Sequence, residues 1–396
     1  MDPRDNPYAP GAGTPPPELA GRDELLEAAA IAWARIRRQR AARSTVMYGL
    51  RGVGKTVLLN RIRLTAEADG ICCIPLEAPE GRSLPAILLP ALRSGLIRMS
   101  RTRAAKATFD RALGAVAAFA RAFKLKYDDI EFSLDPDPAV GLADSGDLDN
   151  DLTELVQVLG EAAQARKTAL ALFIDEMQFV AEDQLAALIT ALHRANQAQL
   201  PITLFGAGLP QLLGQMGKAK SYAERLFEFT PLGPLEDADA RAALVVPAKQ
   251  EGVVYEDAAV DQIVAATEGY PYFLQEWGNH CWRLARSSPI TKRDAVAATE
   301  AAIAQLDSSF FRVRFDRLTP SEKRYMRGMA ELGPGPHRSG DVAAVLSRAV
   351  TSVAPTRSSL IRKGMAYSPS HGDVAFTVPL FDGFMKRIMR FEEAAR

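Results

Sequence analysis

Gly49-Leu50-Arg51-Gly52-Val53-Gly54-Lys55-Thr56 is a complete G-x-x-x-x-G-K-T, and its flanks give it a context. Residues 44–49 read as a short strand and 57–66 as a helix, so the motif falls on a strand-to-helix turn. Glycines at 49, 52 and 54 permit positive φ and close approach of the backbone, whose N–H groups can then surround phosphate oxygens. The helix N-terminus adds its partial positive charge. In this pattern Lys55 reaches the β and γ phosphates and Thr56 puts a hydroxyl on Mg²⁺, while Leu50, Arg51, Val53 and Val57 supply backbone to the same cradle.

Further along, Leu170-Ala171-Leu172-Phe173-Ile174-Asp175-Glu176 is an apolar strand that ends in two carboxylates. Asp175 is placed to hold Mg²⁺, directly or through water, and Glu176 to orient and polarise an attacking water. Taken alone, a strand ending in surface acids would explain the pair; the phosphate loop upstream favours the magnesium site. Other strands are expected at 71–76, 168–174 and 201–206, and helices at 84–101, 104–123 and 150–165, with an acidic Gly/Pro-containing loop near 134–150. Apolar strands alternating with helices mean an α/β fold with a parallel sheet covered on both faces.

Around this core the chain changes character. Residues 1–18 are rich in Pro, Gly and Ala and are expected to form an extended arm on the folded body. The α/β core then occupies 19–235. From 236 only helical patterns follow, at 236–250, 256–268, 271–286 and 291–306, which makes 236–317 a helical lid. A last unit, 318–396, opens with Thr319-Pro320-Ser321-Glu322, an N-cap, a Pro at N1 and a Glu at N3. It continues as helices at 320–331, 339–347 and 354–363, with Pro355 in the first turn of the third. A hairpin around Ser370-His371-Gly372-Asp373 and a final helix from Pro379 complete the order of a winged helix-turn-helix.

Composition sets bounds on function. A chain of 396 residues needs two or three domains. With 47% hydrophobic and 24% charged residues it is not a disordered chain, and a net charge of zero excludes a chain-wide polycation. The last unit is different: from Leu318 onward there are 12 Lys and Arg against 7 Asp and Glu. Its third helix carries Thr356, Arg357, Ser358, Ser359, Arg362 and Lys363, hydroxyls and cations suited to double-stranded DNA. The other reading stays open, in which Arg362 and Lys363 complement the helix dipole and the module binds protein. A second basic patch, Arg98, Arg101, Arg103 and Lys106, lies on the helical pair and reads best as an ordinary amphipathic face. No apolar run approaches the ~20 residues of a membrane helix, and the N-terminus lacks the apolar stretch of a signal peptide. Cys72, Cys73 and Cys281 form no C-x-x-C pair, and His193, His280, His337 and His371 are scattered. These features fit a cytoplasmic protein with reduced thiols and no structural metal.

With both halves of the nucleotide site in place, the sequence resembles the AAA+ ATPases, specifically the Orc-like and archaeal-ATPase-like branch. Leu19-Ala20-Gly21-Arg22-Asp23-Glu24-Leu25 looks like that branch's GR-x-x-E-L motif, one residue short, which implies a place for Gly21 and Arg22 near the adenine. Leu204 to Pro210 falls where the sensor-1 strand ends and resembles a G-x-P-x-L variant, without the polar residue usual there. Tyr222-Ala223-Glu224-Arg225-Leu226-Phe227 looks like the segment that carries an arginine finger, which would make Arg225 complete a neighbouring subunit's site and the active form a homo-oligomer. The alternative, a surface Arg at a helix end, stays open. Gly269-Tyr270-Pro271-Tyr272-Phe273-Leu274 resembles the G-x-P-x-x-L of STAND-like ATPases, which implies that Pro271 packs near the nucleotide; the usual sensor-2 Arg is absent there. The resemblance implies a slow, Mg²⁺-dependent ATPase whose ATP/ADP state switches DNA binding or assembly, or else a STAND-like scaffold whose winged helix binds protein.

Overall fold

Leu170 to Ile174 are almost wholly buried on both faces of their strand, and this double burial organises the first half of the molecule. The computed structural model describes residues 1–11, 13–38, 40, 42–100, 106–123 and 138–391. The first half runs α1 (Asp23–Arg37), β1 (Ser44–Tyr48), α2 (Lys55–Ala68), β2 (Cys72–Glu77), α3 (Leu84–Ser100), α4 (Lys106–Ala122), α5 (Leu148–Ala165) and β3 (Leu170–Asp175). It continues as α6 (Glu182–Gln197), β4 (Ile202–Gly208), α7 (Gln211–Ala219), α8 (Ala223–Leu226) and β5 (Phe227–Pro231).

The five strands form one parallel sheet in the order β2-β3-β4-β1-β5. Alternate residues feed two cores. Ala171, Phe173 and Phe205 pack with Trp33 of α1 and Leu58 and Ile62 of α2, the Trp33 and Phe205 rings being 4.5 Å apart. Leu170, Leu172, Ile174 and Leu204 pack on the other face with α3, α5 and α6. Register sets up the site: Tyr48 is level with Gly208 and Ile174 with Gly206, so the segments after β1 and β3 leave the same edge of the sheet, with β4 between them.

In the first half the expected strands and helices are present, and four elements are added to them. An edge strand, β5, and the helices α6, α7 and α8 join the core. Phe227-Glu228-Phe229-Thr230-Pro231 is short, half-exposed and ends in Pro, so it lacks the continuous apolar run that marks its neighbours. Of the basic patch on the helical pair, Arg98 donates to Cys73 O at 3.0 Å and so serves the fold. Arg101, Arg103 and the Lys106 side chain lie outside the described residues.

The second half is helical: α9 (Asp237–Gln250), α10 (Asp257–Thr267), α11 (Pro271–Leu284), α12 (Lys292–Ser308) and a short α13 (Phe310–Asp316) that the sequence reading did not separate. Then come α14 (Pro320–Leu332), β6 (His337–Arg338), α15 (Ser339–Val345), α16 (Val350–Arg362), β7 (Ala366–Tyr367), β8 (Asp373–Phe376) and α17 (Phe381–Ile388). β6, β8 and β7 make a small antiparallel sheet beside α14, α15 and α16. The third helix starts at Val350, so Pro355 lies inside it and not in its first turn. The preceding Val-Thr-Ser-Val run is a poor helix former, and burial of Val353 holds that turn in place. Helices α9 to α17 share one apolar cluster that runs from Trp277 through Phe311 and Phe315 to Phe384.

Residues 1–11 lie against α9 and α11. The amino group of Met1 donates to Ala285 O at 2.8 Å, Trp282 Nε1 to Asp2 O at 2.8 Å, and the Tyr8 hydroxyl to Leu244 O at 2.5 Å. The Tyr8 ring sits where only a glycine allows it: a Cβ on Gly278 would stand 2.6 Å from the ring.

Candidate nucleotide site

After Tyr48 the chain turns through Gly52 (φ +86°) and Gly54 (φ +88°), left-handed positions that favour glycine, and enters α2 at Lys55. Gly49 is required for space: a Cβ there would lie 2.1 Å from Leu232 O. The first N–H groups of α2 have no carbonyl partner within their own helix and carry its positive end. Lys55 is 8% exposed, and its Nζ donates to Gly49 O at 2.9 Å and Leu50 O at 2.8 Å. Burial pulls its pKa down to about 8; Glu176 and Asp175 oppose this and Arg51 adds to it.

The two halves of the site meet directly. Thr56 Oγ1 donates to Asp175 Oδ2 at 2.6 Å, and Asp175 Oδ1 accepts from the Glu176 N–H at 2.8 Å. Burial holds the Asp175 carboxyl above the usual carboxylate range, against the hydrogen bonds from Thr56 and the Glu176 N–H, which lower it. Glu176 adopts a left-handed φ of +52°, which swings its side chain off the strand line. Arg51 Nη1 lies 3.5 Å from Glu176 Oε1, and Gln178 Nε2 donates to Oε2.

These groups border a cavity of about 310 Å³ lined by the phosphate loop from Arg51 to Val57, Glu176, Arg22, Pro271, Tyr272 and Arg314. The arm closes another side with Ala9, Pro10, Gly11, Gly13 and Thr14. Arg22 Nη2 donates to Gly233 O at 2.8 Å, and Gly21 (φ +67°) lets the chain turn against Asp239. Pro271 opens α11, and the next residue, Tyr272, donates its N–H to Gly52 O at 3.1 Å, tying the lid to the loop.

Arg225 stands apart, exposed on α8 and away from the cavity. The residues singled out on α16 divide. Arg357 Nη2 donates to Ser368 Oγ at 2.8 Å and Asp373 O at 2.7 Å, and Lys363 Nζ to Glu322 Oε2 at 2.8 Å, so both cations are used inside the module. Thr356 is half-buried, while Ser358 and Arg362 are exposed in the wall of a cleft of about 1,210 Å³ between the module and the core.

Arg314 of α13 was missed. It reaches the cavity from the lid, where burial first and the nearby Arg51 second lower its pKa to about 10. Its Nη1 donates to Phe310 O at 2.6 Å and its guanidinium stacks 3.9 Å from the Phe310 ring centre. An Arg amid Phe310, Phe311 and Phe315 was the available signal.

The cradle fits a nucleotide triphosphate on this geometry: a buried ammonium paired with carbonyls, the N-terminal N–H groups of α2 and an adjoining hydroxyl–carboxylate pair. Among the described residues no group of three His, Cys, Asp or Glu could hold a metal, so Mg²⁺ here would rest on Thr56, Asp175 and phosphate oxygens. Among the described residues no helix is long and apolar enough to cross a membrane.

Residues 18–205 match the family of the AAA ATPase domain, and residues 308–385 match a family described as a domain of unknown function (DUF8462). The chain is similar in fold to the Walker-type ATPase PABY2304 of Pyrococcus abyssi, at 14% identity over 93% of this chain and 96% of that one, with a TM-score of 0.55. It also aligns with the Orc1 protein of Aeropyrum pernix in complex with DNA (16% identity, 94% of each chain, TM-score 0.45). A third alignment is with Cdc6p of Pyrobaculum aerophilum (14% identity, 100% of this chain and 99% of that one, TM-score 0.43). No curated protein matches this chain.

Proposed function

We propose, from the match of residues 18–205 to the AAA ATPase domain family, that this protein uses slow, Mg²⁺-dependent ATP hydrolysis as a switch that governs double-stranded DNA binding or assembly through its C-terminal module. Mg²⁺ supplies charge neutralisation of the β and γ phosphates. Lys55 holds those phosphates, Thr56 and Asp175 hold the metal, and Glu176 orients the water. Arg22 and Pro271 wall the nucleotide, Gly21 turns the chain beside them, and Arg225 completes the site of a neighbouring copy. Such a role belongs in the cytoplasm.

One observation carries the reading of a switch. The Arg51 N–H, inside the phosphate loop, donates to Thr377 O of the C-terminal module at 2.9 Å. A loop that rearranges around phosphates therefore pulls on the module through this hydrogen bond. The positive balance of the module and the exposed Arg362 and Ser358 favour DNA as what it then engages. The internal pairing of Arg357 and Lys363 favours the second reading, a STAND-like scaffold whose module binds protein.

The test is the particle mass in solution with ATP and a short duplex, over a salt series, for the parent and Arg225→Ala. The switch reading predicts an ATP-dependent complex whose affinity falls at least about tenfold between roughly 50 and 200 mM salt, and an Arg225→Ala protein that fails to assemble. No duplex bound at the lowest salt overturns DNA as the partner. Unchanged assembly and hydrolysis in Arg225→Ala overturns the contact between copies.

A further inference from the structure

Both oxygens of the Glu176 carboxylate are occupied, one by Arg51 Nη1 at 3.5 Å and one by Gln178 Nε2. Each holder is in turn tied to one corner of the C-terminal module. Arg51 meets that corner twice: its N–H donates to Thr377 O at 2.9 Å, and its Nη2 lies 3.3 Å from where a Cβ on Gly364 would sit. Gln178 meets it through Leu209. The Gln178 Oε1 accepts from the Leu209 N–H at 2.9 Å, and Leu209 Cδ1 lies 3.2 Å from the same position on Gly364.

The corner itself is stiff. The Thr377 hydroxyl donates to Gly364 O at 2.6 Å and its N–H to Met365 O at 3.2 Å, with Thr377 fully buried. Gly364 takes a left-handed φ of +64° directly after α16, so the helix that carries Ser358 and Arg362 ends on the contact.

We infer that Arg51 and Gln178 are positioning residues that make ATP turnover depend on where the C-terminal module sits. This rests on the reading of Glu176 as the group that orients the attacking water. In the step concerned, Glu176 accepts a proton from water as the water oxygen bonds to the γ phosphorus. The bond from that phosphorus to the β–γ bridging oxygen breaks, and its electron pair stays on ADP. With the Gly364 corner seated, the carboxylate is turned toward two fixed donors. With the corner lifted, Arg51 loses its backing, Leu209 beside Gln178 loses its cover, and Glu176 is free to turn to the water. A partner that binds the lifted module better than the seated one raises turnover by shifting that population.

Gly364→Asn separates this from a structural role. Asn tolerates the left-handed backbone, but its side chain needs the space held by Leu209 and Arg51 Nη2. The expected result is a kcat raised about fivefold or more with KM for ATP within about twofold and an unchanged melting temperature. Arg51→Ala should move kcat the same way, and the double variant no further than the larger single one, because both act through one contact. Adding Glu176→Gln should silence every variant. Parent-like kcat in Gly364→Asn and Arg51→Ala, or kcat and melting temperature falling together, overturns the inference. If Gly364→Asn fails to fold, Arg51→Ala decides alone. If Glu176→Gln by itself turns over like the parent, the assignment of Glu176 is what fails.

Discussion

Lys55 keeps its charge in a place that disfavours it. Its ammonium is buried and meets only two carbonyl oxygens, and burial brings its pKa to about 8, against about 10.4 for a solvated lysine. Between those values the unfolded chain holds more protons than the folded one, so the contribution of Lys55 to stability rises as pH rises through that window. Phosphate binding acts in the opposite sense on the same group, because negative charge beside the ammonium draws its pKa back up. ATP binding at pH 9 should therefore take up close to one proton per site, read as a dependence of the calorimetric binding heat on buffer ionisation enthalpy. Lys55→Met should bind no ATP, and a buffer-independent heat in the parent would contradict the assignment. Lys55, Thr56, Asp175 and Glu176 were legible in the sequence because each lies on a short strand-to-turn segment whose spacing is its own signature. Arg314, Gln178 and the arm residues were not, because tertiary packing of distant segments delivers them to the cavity.

Elements were legible in proportion to how completely they are buried. β3 and β4 announce themselves as apolar runs covered on both faces, whereas β5, an edge strand with Glu228 and a terminal Pro231, has no such run. The start of α14 was legible for a different reason, since caps are local: Thr319 and Glu322 close a capping box with Pro320 at N1. The structure gives Glu322 more to do than cap a helix. It is 3% exposed and accepts from the Thr319 N–H at 2.7 Å, Ser359 Oγ at 2.8 Å and Lys363 Nζ at 2.8 Å. Burial pushes its pKa up, but these bonds outweigh it and hold the carboxyl at about 2. That stabilisation is complete above the unfolded value of about 4.3 and is lost as pH falls through about 2. Glu322→Gln should cost about 3 kcal/mol at pH 7 and about half that at pH 3, by urea unfolding at both. Equal stability of parent and variant at pH 7 would contradict it. The same ion pair explains why Lys363, read from the sequence as a DNA contact, turns inward.

At the scale of the whole molecule, polar ties converge on the phosphate loop from separate parts of the chain. Tyr272 of the lid donates to Gly52 O, Arg51 donates to Thr377 O of the module, and the arm, anchored by Tyr8 on α9, runs past Thr56. The lid and module share one apolar cluster while the sheet has two of its own, so the two halves are separate cores joined around the loop. None of this convergence could be read from periodicity, because it depends on which finished surfaces meet. It is also what the proposed switch requires, since a loop touched by every part of the molecule can report its contents to all of them. A crystal structure of Glu176→Gln grown with saturating Mg²⁺ and ATP tests this most directly. The expected result is a triphosphate in the cradle, Lys55 Nζ turned from the Gly49 and Leu50 carbonyls to its oxygens, and a magnesium ion at Thr56 and Asp175. An empty cavity with Lys55 still on those two carbonyls would contradict it.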